Sequence, residues 1–404
     1  MSTSLLYHGF GIRGYKYIRT TYEGGKIKFW IEEDRSRLRC AVCGSRRVLG
    51  RGKTLREFKC VPIGSRQVSV IFPVRRLECR DCRAIRQVKI QFAHERRRHT
   101  KSFERYALGL SRHMTIKDVA VHLNVGWDVI KDIQRRNLQK LFGHLKVKKL
   151  RRIAIDEISI GRGHRYLTVV LDLGTGAVVF VGDGKGADAL KPFWARLRRG
   201  RARIEAVATD MSPAYIAAVT ANLPDAVLVF DHFHIIKLLN DKLTELRREL
   251  FREATEQLHK DVMKGTRWLL LKNPENLDKD RREKERLEEA LRINAPLATA
   301  YYMKEELRRL WDFLDKETAA IFLQDWLNRA LVSGIRILQK FAKTMAKHRE
   351  GILAYFDYPI STGPLEGTNT KIRVLQRQAY GFRDMQFFKL KIMGLHETKY
   401  ALVG

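Results

Sequence analysis

The chain has 404 residues, of which 45% are hydrophobic, 9% aromatic and 30% charged. This composition excludes a disordered polycation, which would have far fewer aromatic and aliphatic side chains, and the length suits about two to four domains. Lysine and arginine total 78 against 45 aspartate and glutamate, so the formal net charge is +33. Such a charge indicates a polyanionic partner, with nucleic acid the first candidate and an acidic membrane surface the second.

A membrane location is disfavoured by the distribution of apolar residues. No run of about 18 apolar residues, the length that a transmembrane helix needs, occurs in the chain. The N-terminal segment is interrupted by His8, Arg13 and Lys16 and lacks the apolar core of a signal peptide. Four of the five cysteines lie in C-x-x-C pairs, as expected in a reducing compartment. We therefore expect a cytoplasmic, nucleoid-associated protein without a membrane partner.

Residues 1–95 are predicted to be an N-terminal region that contains a zinc ribbon, since all the cysteines lie here among short strand-like runs. Four cysteines form two C-x-x-C knuckles: Cys40, Cys43, Cys79 and Cys82. Four thiolates at such spacing are typical of a closed, structural, tetrahedral Zn²⁺ site. Two unrelated cysteine pairs, or a redox pair, remain the alternative. Cys60 has no partner in this pattern and is expected to pack in a core.

Residues 96–148 are predicted to form a helix-turn-helix DNA-binding domain. The expected helices cover 101–113, 116–123 and 127–139. Ala120 lies where two helices must approach closely, and Ile130 and Ile133 face inward from the second helix of the motif. An αα-hairpin of another kind would show the same pattern by chance. The last helix carries residues expected to contact DNA: Lys131, Gln134, Arg135 and Arg136.

Residues 149–234 alternate strand and helix patterns in the order β-β-β-α-β-α-β-α. The predicted strands are 152–156, 165–173, 177–181, 204–208 and 226–230. An antiparallel meander that leads into βαβ units is the topology of the ribonuclease H-like fold, in which function collects at the carboxyl ends of strands. Asp156 and Asp210 both follow such strands, and the first and fourth strands would be neighbours. A strand-end cap is the alternative for Asp156, and a helix N-cap is the alternative for Asp210.

Two carboxylates held together repel each other unless a divalent cation neutralises them, and carboxylate oxygens favour Mg²⁺ or Mn²⁺. A third carboxylate is needed to hold two ions. Glu366 is the candidate, since it lies in the first turn of a predicted final helix after a long helical stretch. The alternative for Glu366 is a favourable interaction with the helix dipole. Trp268 and Trp311, in that helical stretch, are expected to pack between helices.

Several motifs in this order resemble the DDE transposases of bacterial insertion sequences, specifically the ISL-three group. They are Ala-Ile-Asp-Glu at 154–157, Thr-Asp-Met-Ser-Pro-Ala-Tyr at 209–215, Phe-Asp-His-Phe-His at 230–234, Pro-Leu-Glu-Gly-Thr-Asn at 364–369 and Arg-Gln-Ala-Tyr-Gly-Phe-Arg at 377–383. The resemblance covers about residues 36–395. It implies a catalytic triad of Asp156, Asp210 and Glu366.

The resemblance also implies the organisation of the chain. The expected fold is multidomain α/β: a ribonuclease H-like catalytic domain formed by 149–234 and 356–404, with an all-helical insertion at 235–355. It implies binding of terminal inverted repeats, DNA cleavage and strand transfer by two Mg²⁺ ions, with a homodimer or larger assembly on double-stranded DNA. Four basic side chains would contact phosphates near the cleavage site, unless they form a solvated helix face: Lys371, Arg373, Arg377 and Arg383.

Some assignments remain open. Asp231 also ends a predicted strand and could replace Asp210 as the second metal ligand. His232 and His234 resemble a family feature near the active site, although packing would explain them too. Two other functions remain possible, namely a ribonuclease H-like nuclease without strand transfer and a non-catalytic DNA-binding regulator.

Overall fold

The computed structural model of the protein describes residues 2–143, 147–161, 163–254 and 266–395. The chain separates into two compact units, one containing Met1–Gly143 and the other His144–Glu397. Each unit has its own sheet and its own hydrophobic core. Among the described residues, no helix combines the length and the apolar character needed to cross a bilayer.

The first unit begins with helix α1 (Ser2–His8) and a mixed sheet. Its strands are β1 (Tyr15–Glu23), β2 (Lys26–Glu33), β3 (Val48–Lys59), β4 (Val68–Cys79) and β5 (Ile85–Gln87). They lie in the order β1-β2-β4-β3, with β5 also pairing with β4, and only the β2–β4 pair is parallel. The apolar first half of β4 is buried together with Phe58 and Phe92. Cys60 lies in this core with 3% of its surface exposed, as expected.

Three helices complete the first unit: α2 (Lys101–Leu110), α3 (Ile116–His122) and α4 (Trp127–Phe142). The Thr115 side chain caps α3 by accepting from the N–H of Asp118, and Asn124 takes a left-handed conformation in the turn. Ala120 and Ile133 are buried where the helices meet. The predicted helices are therefore present, but α2 is shorter and α4 longer than the sequence pattern indicated.

A buried polar network joins α2 to α4. Glu104 accepts hydrogen bonds from two groups of Arg136, at 2.9 and 3.2 Å, and lies 2.9 Å from Nε2 of His99. Arg136 also donates to Asp132, one turn away on α4. Burial alone would raise the pKa of Glu104, but the bonds from His99 and Arg136 outweigh it and lower the pKa to about 2. The network therefore holds α4 on α2 through an ionised carboxylate.

Replacing Glu104 by Gln should lower the free energy of unfolding by about 2–3 kcal/mol at pH 7, because Arg136 loses its buried counterion. Since the folded-state pKa of Glu104 is depressed, its stabilising contribution is present above the unfolded value of about 4.3 and is lost as the pH falls toward 2. Urea unfolding of the full chain between pH 2 and 7 measures both effects. Glu95→Gln, at an exposed neighbouring carboxylate, is the control and should change neither.

The second unit is built on a five-stranded sheet: β6 (Arg152–Gly161), β7 (Arg165–Asp172), β8 (Val178–Asp183), β9 (Ala206–Thr209) and β10 (Val227–Phe230). The strand order is β10-β9-β6-β7-β8. Strands β6, β7 and β8 are antiparallel, whereas β6, β9 and β10 are parallel. This is the ribonuclease H-like arrangement that the sequence predicted. However, β6 is longer than predicted, so Asp156 lies inside the strand, two positions beyond Ala154, where the pairing of β6 with β9 ends.

Helices cover both faces of this sheet. On one face, α5 (Ala187–Gly200) and α6 (Pro213–Asn222) bury Phe193 and Tyr215 against Ile153 and Ile155 of β6. On the other face, α14 (Gly363–Gln378) packs on β6 and α15 (Met385–Met393) packs on β8. The sequence predicted one final helix, but the chain breaks it near Gly381, whose φ of +94° favours glycine.

Between β10 and α14 the chain forms a helical block. Its helices are α7 (His232–Glu253), α8 (Arg267–Leu271), α9 (Glu283–Arg292), α10 (Ala295–Arg308), α11 (Lys316–Val332), α12 (Arg336–Lys347) and α13 (Arg349–Leu353). The predicted boundary at 234–235 falls inside α7, because Asp231 at the N-cap position starts the helix directly after the strand. A Cβ atom at Gly351 of α13 would lie 2.4 Å from the ring of Phe230, so the block packs closely on β10.

Candidate active site and metal centres

Three aspartates lie side by side across the centre of the second sheet. The parallel register pairs Ala154 with Ala208, so Asp156 and Asp210 stand opposite each other two positions further on. Phe230 pairs with Thr209, so Asp231 follows at the same level on the next strand. Adjacent strands are about 4.8 Å apart, and paired residues of parallel strands share a face. The sheet therefore brings Asp156, Asp210 and Asp231 into one row.

Asp156 occupies an unfavourable position for a charge without a cation. Burial raises the pKa of Asp156 to about 6 and outweighs the lowering by the backbone N–H of Glu157 and by His234, while the charges of Asp210 and Glu157 add smaller raising contributions. Its Oδ2 accepts a hydrogen bond of 2.8 Å from Nδ2 of Asn369 on α14. A carboxylate whose ionisation is disfavoured by a neighbouring carboxylate is suited to a divalent cation.

Asp210 is held by the turn that follows β9. Its Oδ1 accepts from the N–H of Ser212 at 3.0 Å, and Pro213 then begins α6. This bond forms an Asx turn just before the helix, so Asp210 supports the start of α6 much as the N-cap alternative predicted. The bond uses one carboxylate oxygen of Asp210 and fixes the side chain beside Asp156.

Asp231 has a different environment, since only 2% of its surface is exposed. Its Oδ2 lies 2.9 Å from Nδ1 of His234, and its Oδ1 accepts from the N–H of Thr362 at 3.3 Å. Burial would raise the pKa of Asp231, but the bonds from His234 and Thr362 lower it. The bond to Asp231 in turn raises the pKa of His234 against the effect of burial, with contributions from Asp156 and Asp210. Asp231 thus clamps His234 and the start of α14, which favours Asp210 as the second metal ligand.

Helix α14 is attached to the strands at three points spaced seven residues apart. Thr362, at its N-cap, donates to Asp231, Asn369 donates to Asp156, and Gln376 donates to the carbonyl of Ile160 at 2.6 Å. Seven residues are two helical turns, so these contacts share one face. Two turns rise about 10.5 Å, which is close to the two strand spacings, about 9.6 Å, between Asp231 and Asp156.

Glu366 lies between the first two of these attachments, four residues after Thr362 and three before Asn369. It is therefore on the face of α14 that is turned toward the aspartate row, and its side chain is exposed there. In the described part of the chain, the cysteines are the one set of three or more ligand side chains whose donor atoms lie within 4.8 Å of one another. The carboxylates of Asp156, Asp210 and Glu366 do not form such a set among the described residues.

Replacing Asp231 by Asn should lower the free energy of unfolding by about 3 kcal/mol, because the buried carboxylate that bonds both His234 and the N–H of Thr362 is lost. Amide exchange at Thr362 should become faster, since the carboxylate acceptor is lost. Mn²⁺ binding should persist if Asp231 only positions α14. Hydrogen exchange of the full chain measures the change at Thr362, and Mn²⁺ titration measures whether metal binding persists. Loss of Mn²⁺ binding with unchanged Thr362 exchange would instead identify Asp231 as a ligand.

The sequence analysis missed two residues around the aspartate row. Asn369 lies in the motif at 364–369, but only the fold shows that it contacts Asp156. Tyr215 donates to Glu157 at 2.7 Å and lies 3.2 Å from the hydroxyl of Thr168. Because Glu157 follows Asp156 in a strand, it points to the opposite face, where Tyr215 fixes that part of β6. The signal that could have identified Tyr215 is its place at the end of the motif Thr-Asp-Met-Ser-Pro-Ala-Tyr at 209–215.

His232 and Trp311 pack against neighbouring rings, whereas Trp268 is largely exposed. The centre of the His232 ring lies 5.6 Å from the ring centre of Trp311 and 6.1 Å from that of Tyr355. Its Nδ1 is 3.8 Å from Asp231. Trp311 packs against the core of the helical block, whereas Trp268 is 65% exposed and is covered on one side by Arg267. The expectation of helix packing thus fits Trp311 and not Trp268.

The four knuckle cysteines meet at one point in the first unit. Sγ of Cys40 is 3.6 Å from Sγ of Cys82, and Sγ of Cys43 is 3.5 Å from Sγ of Cys79. All four sulfurs lie within 4.8 Å of one another. A disulfide requires about 2.05 Å, whereas four thiolates around Zn²⁺ at about 2.3 Å place sulfurs about 3.8 Å apart. This donor set fits a structural zinc ion and does not fit two disulfides.

The backbone around the knuckles supports thiolates. The N–H groups of Cys43 and Val42 lower the pKa of Cys40 to about 6. The N–H of Ser45 acts in the same direction on Cys43, but its contacts with Cys82 and Cys79 raise its pKa to about 12. Crowded thiols resist a second negative charge unless a cation is bound, so this arrangement also fits a metal.

The predicted DNA-contacting residues of α4 occupy unequal positions. Lys131 lies 4.9 Å above the ring of Trp127, which is 46% exposed at the start of the helix. Arg135 is half-buried. Gln134 is buried, and Arg136 is held in the network with Glu104 of α2. These positions do not suit Gln134 and Arg136 for direct contact with bases. By contrast, all four basic side chains predicted on and after α14 are exposed: Lys371, Arg373, Arg377 and Arg383.

Fold and site together define a DNA-binding protein with a helix-turn-helix and a ribonuclease H-like domain that carries a row of carboxylates. Residues 153–392 match the sequence model of a family that is described as transposase, namely the DDE transposases of the ISL3 group. The helix-turn-helix domain of transposase family ISL3 matches residues 88–136. The chain belongs to this transposase family, as its motifs predicted.

Individual relatives agree with this assignment. The transposase for insertion sequence element IS1001 of Bordetella parapertussis is 32% identical over 391 residues, which cover 95% of each chain. Transposases for insertion sequence element IS1557 of Mycobacterium tuberculosis are 29% identical over 375 residues, 86% of this chain and 83% of theirs. Among solved structures, the Drosophila P element transposase strand transfer complex is similar with a TM-score of 0.34 and 12% identity, over 65% of this chain and 80% of that chain.

Proposed function

We propose that this transposase binds the terminal inverted repeats of its insertion sequence, cleaves the DNA there and joins the freed end to a target. Water first attacks the phosphodiester at the element end and releases a 3′-hydroxyl, which then attacks a target phosphodiester. The observation that supports this proposal is the anchoring of α14 to Asp231 and Asp156 through Thr362 and Asn369, between which Glu366 lies in the sequence.

The metal centre follows from the donor set. Asp156, Asp210 and Glu366 would hold two Mg²⁺ or Mn²⁺ ions, which when bound activate the attacking oxygen and stabilise the leaving 3′ oxygen. The raised pKa of Asp156 supports this proposal, since its charge needs a cation nearby. Asp231 and His234 fix the start of α14 beside this centre. The knuckle cysteines would hold a structural Zn²⁺ ion.

DNA would be bound by two sets of residues. In the first unit, Lys131 and Arg135 on α4 would enter the major groove of the inverted repeat. In the second unit, Lys371, Arg373, Arg377 and Arg383 would contact phosphates near the cleaved bond. Because two element ends must be joined in one event, we expect at least a homodimer on DNA, acting on the nucleoid.

A strand-transfer assay tests the proposal. Labelled duplex DNA carrying the repeat that flanks the reading frame is incubated with the full chain, Mg²⁺ and a supercoiled plasmid, and joined products are separated on a gel. We expect label in the plasmid and cleavage at the repeat end. Cleavage without joined product would support a nuclease instead, and DNA binding without cleavage would support a regulator.

A further inference from the structure

Asn369 has contacts that a residue needed only for helix packing would lack. It lies on the same face of α14 as Glu366, and only 5% of its surface is exposed. Its Nδ2 donates to Oδ2 of Asp156 at 2.8 Å. The neighbouring residues of this face, Leu365 and Ile372, are fully buried and supply the packing of the helix.

The chemistry of the two side chains determines the orientation of the amide. An ionised carboxylate only accepts hydrogen bonds, so the NH₂ group of Asn369 must face Asp156 and the amide oxygen must face away. That oxygen, Oδ1, is buried and has no hydrogen-bond partner among the described residues. A buried acceptor left unsatisfied costs about 1–3 kcal/mol, so an unpaired amide oxygen on the side chain that contacts Asp156 calls for a ligand.

The properties of an amide suit this position. Asn369 is neutral, so it can orient Asp156 without competing with a cation for its charge, as a lysine or arginine would. Its oxygen is a hard ligand of the kind that Mg²⁺ and Mn²⁺ bind directly or through a coordinated water. Partners of metal-binding carboxylates commonly fix the ligand orientation, and their loss lowers metal affinity 10- to 100-fold.

We propose that Asn369 is a positioning residue of the metal centre, which orients Asp156 through Nδ2 and presents Oδ1 to the ion that Asp156 binds or to a water on that ion. This inference rests on the proposed function, because it requires Asp156 to be a metal ligand. It adds a fourth side chain to the centre and explains why the contact between α14 and β6 at this level is polar.

The test compares two attachments of the same helix. Asn369→Leu removes both polar atoms at nearly constant volume, and Gln376→Leu removes the attachment to Ile160 two turns later. Mn²⁺ binding to the zinc-loaded full chain is measured by the electron paramagnetic resonance signal of free Mn²⁺, and thermal unfolding is recorded in parallel. We expect Asn369→Leu to raise the Mn²⁺ dissociation constant 10- to 100-fold, and Gln376→Leu to change it less than about twofold.

Asp156→Asn, measured in the same way, separates the two hypotheses. If it abolishes Mn²⁺ binding while Asn369→Leu has no effect, the role of Asn369 is wrong and the proposed function stands. If both leucine variants weaken Mn²⁺ binding equally, Asn369 only anchors the helix and the inference is overturned. If Asp156→Asn leaves Mn²⁺ binding unchanged, the proposed metal centre itself is wrong, and the inference fails with it.

Discussion

Replacing Asp156 by Asn should reduce DNA cleavage and strand transfer at least about a thousandfold, while binding to end DNA persists. The carboxylate lies on β6 at one end of the aspartate row, next to Asp210, and its loss would remove a ligand from the metal centre that we propose, which supplies several kcal/mol of transition-state stabilisation. The amide is nearly isosteric, and burial already disfavours the charged form of Asp156, so the fold should not be weakened. Cleavage of labelled end DNA and a gel-shift assay measure the two effects.

Asp183→Asn is the matched control, since this aspartate lies on β8 of the same sheet and its side chain is 71% exposed. It should cleave like the wild type. Glu366→Gln should reproduce the defect of Asp156→Asn, because both residues would bind the same pair of ions. Normal cleavage by either variant of the proposed centre would contradict the mechanism. Loss of DNA binding together with cleavage would indicate misfolding instead.

Replacing Cys79 by Ser should remove bound zinc and unfold the knuckles of the first unit. Cys79 ends β4, so the loss of its thiolate would free the turn that leads to Cys82 and β5. Structural zinc contributes about 10 kcal/mol or more in small domains. The loss of most of this energy should be larger than the folding free energy of the knuckle region, which would therefore unfold. End-DNA binding should fall at least about tenfold. Zinc content by atomic absorption and end-DNA binding measure the outcome.

Cys60→Ala is the control for this experiment, because Cys60 is a buried thiol in the core and not in the cluster. It should keep one zinc ion per chain and lose only about 1 kcal/mol of stability for the removed sulfur. Treatment of the wild type with a strong chelator should reproduce the Cys79→Ser phenotype. Zinc retention in Cys79→Ser would show that the metal is bound elsewhere.

Local patterns in the sequence predicted the elements well. The knuckle cysteines are recognisable because each pair is close in sequence, and the apolar runs and turns of residues 149–234 predicted the strand order of the second sheet. The cap that Thr115 forms on α3 likewise depends only on neighbouring residues. All these features are determined by residues that are close together in the sequence, so they can be predicted from it.

Contacts between distant residues were not predictable in the same way. The sequence ended a strand at Asp156, whereas pairing with β7 continues that strand to Gly161. Gln134 is a polar residue of a type that contacts DNA bases, but it is buried in the folded protein. The attachments of α14 join residues more than 130 positions apart, and no spacing rule in one sequence reveals them.

The bond between Asp231 and Thr362 joins residues 131 positions apart, at the point where the chain leaves the sheet and the point where it returns. The intervening helical block therefore begins and ends at two residues that are held together by this bond. Closing a loop costs only about 0.6 kcal/mol more for each doubling of its length. Flexible loops between the helices of this block can consequently be lengthened at little entropic cost, provided that the bond between Asp231 and Thr362 remains, and Glu366 would keep its place.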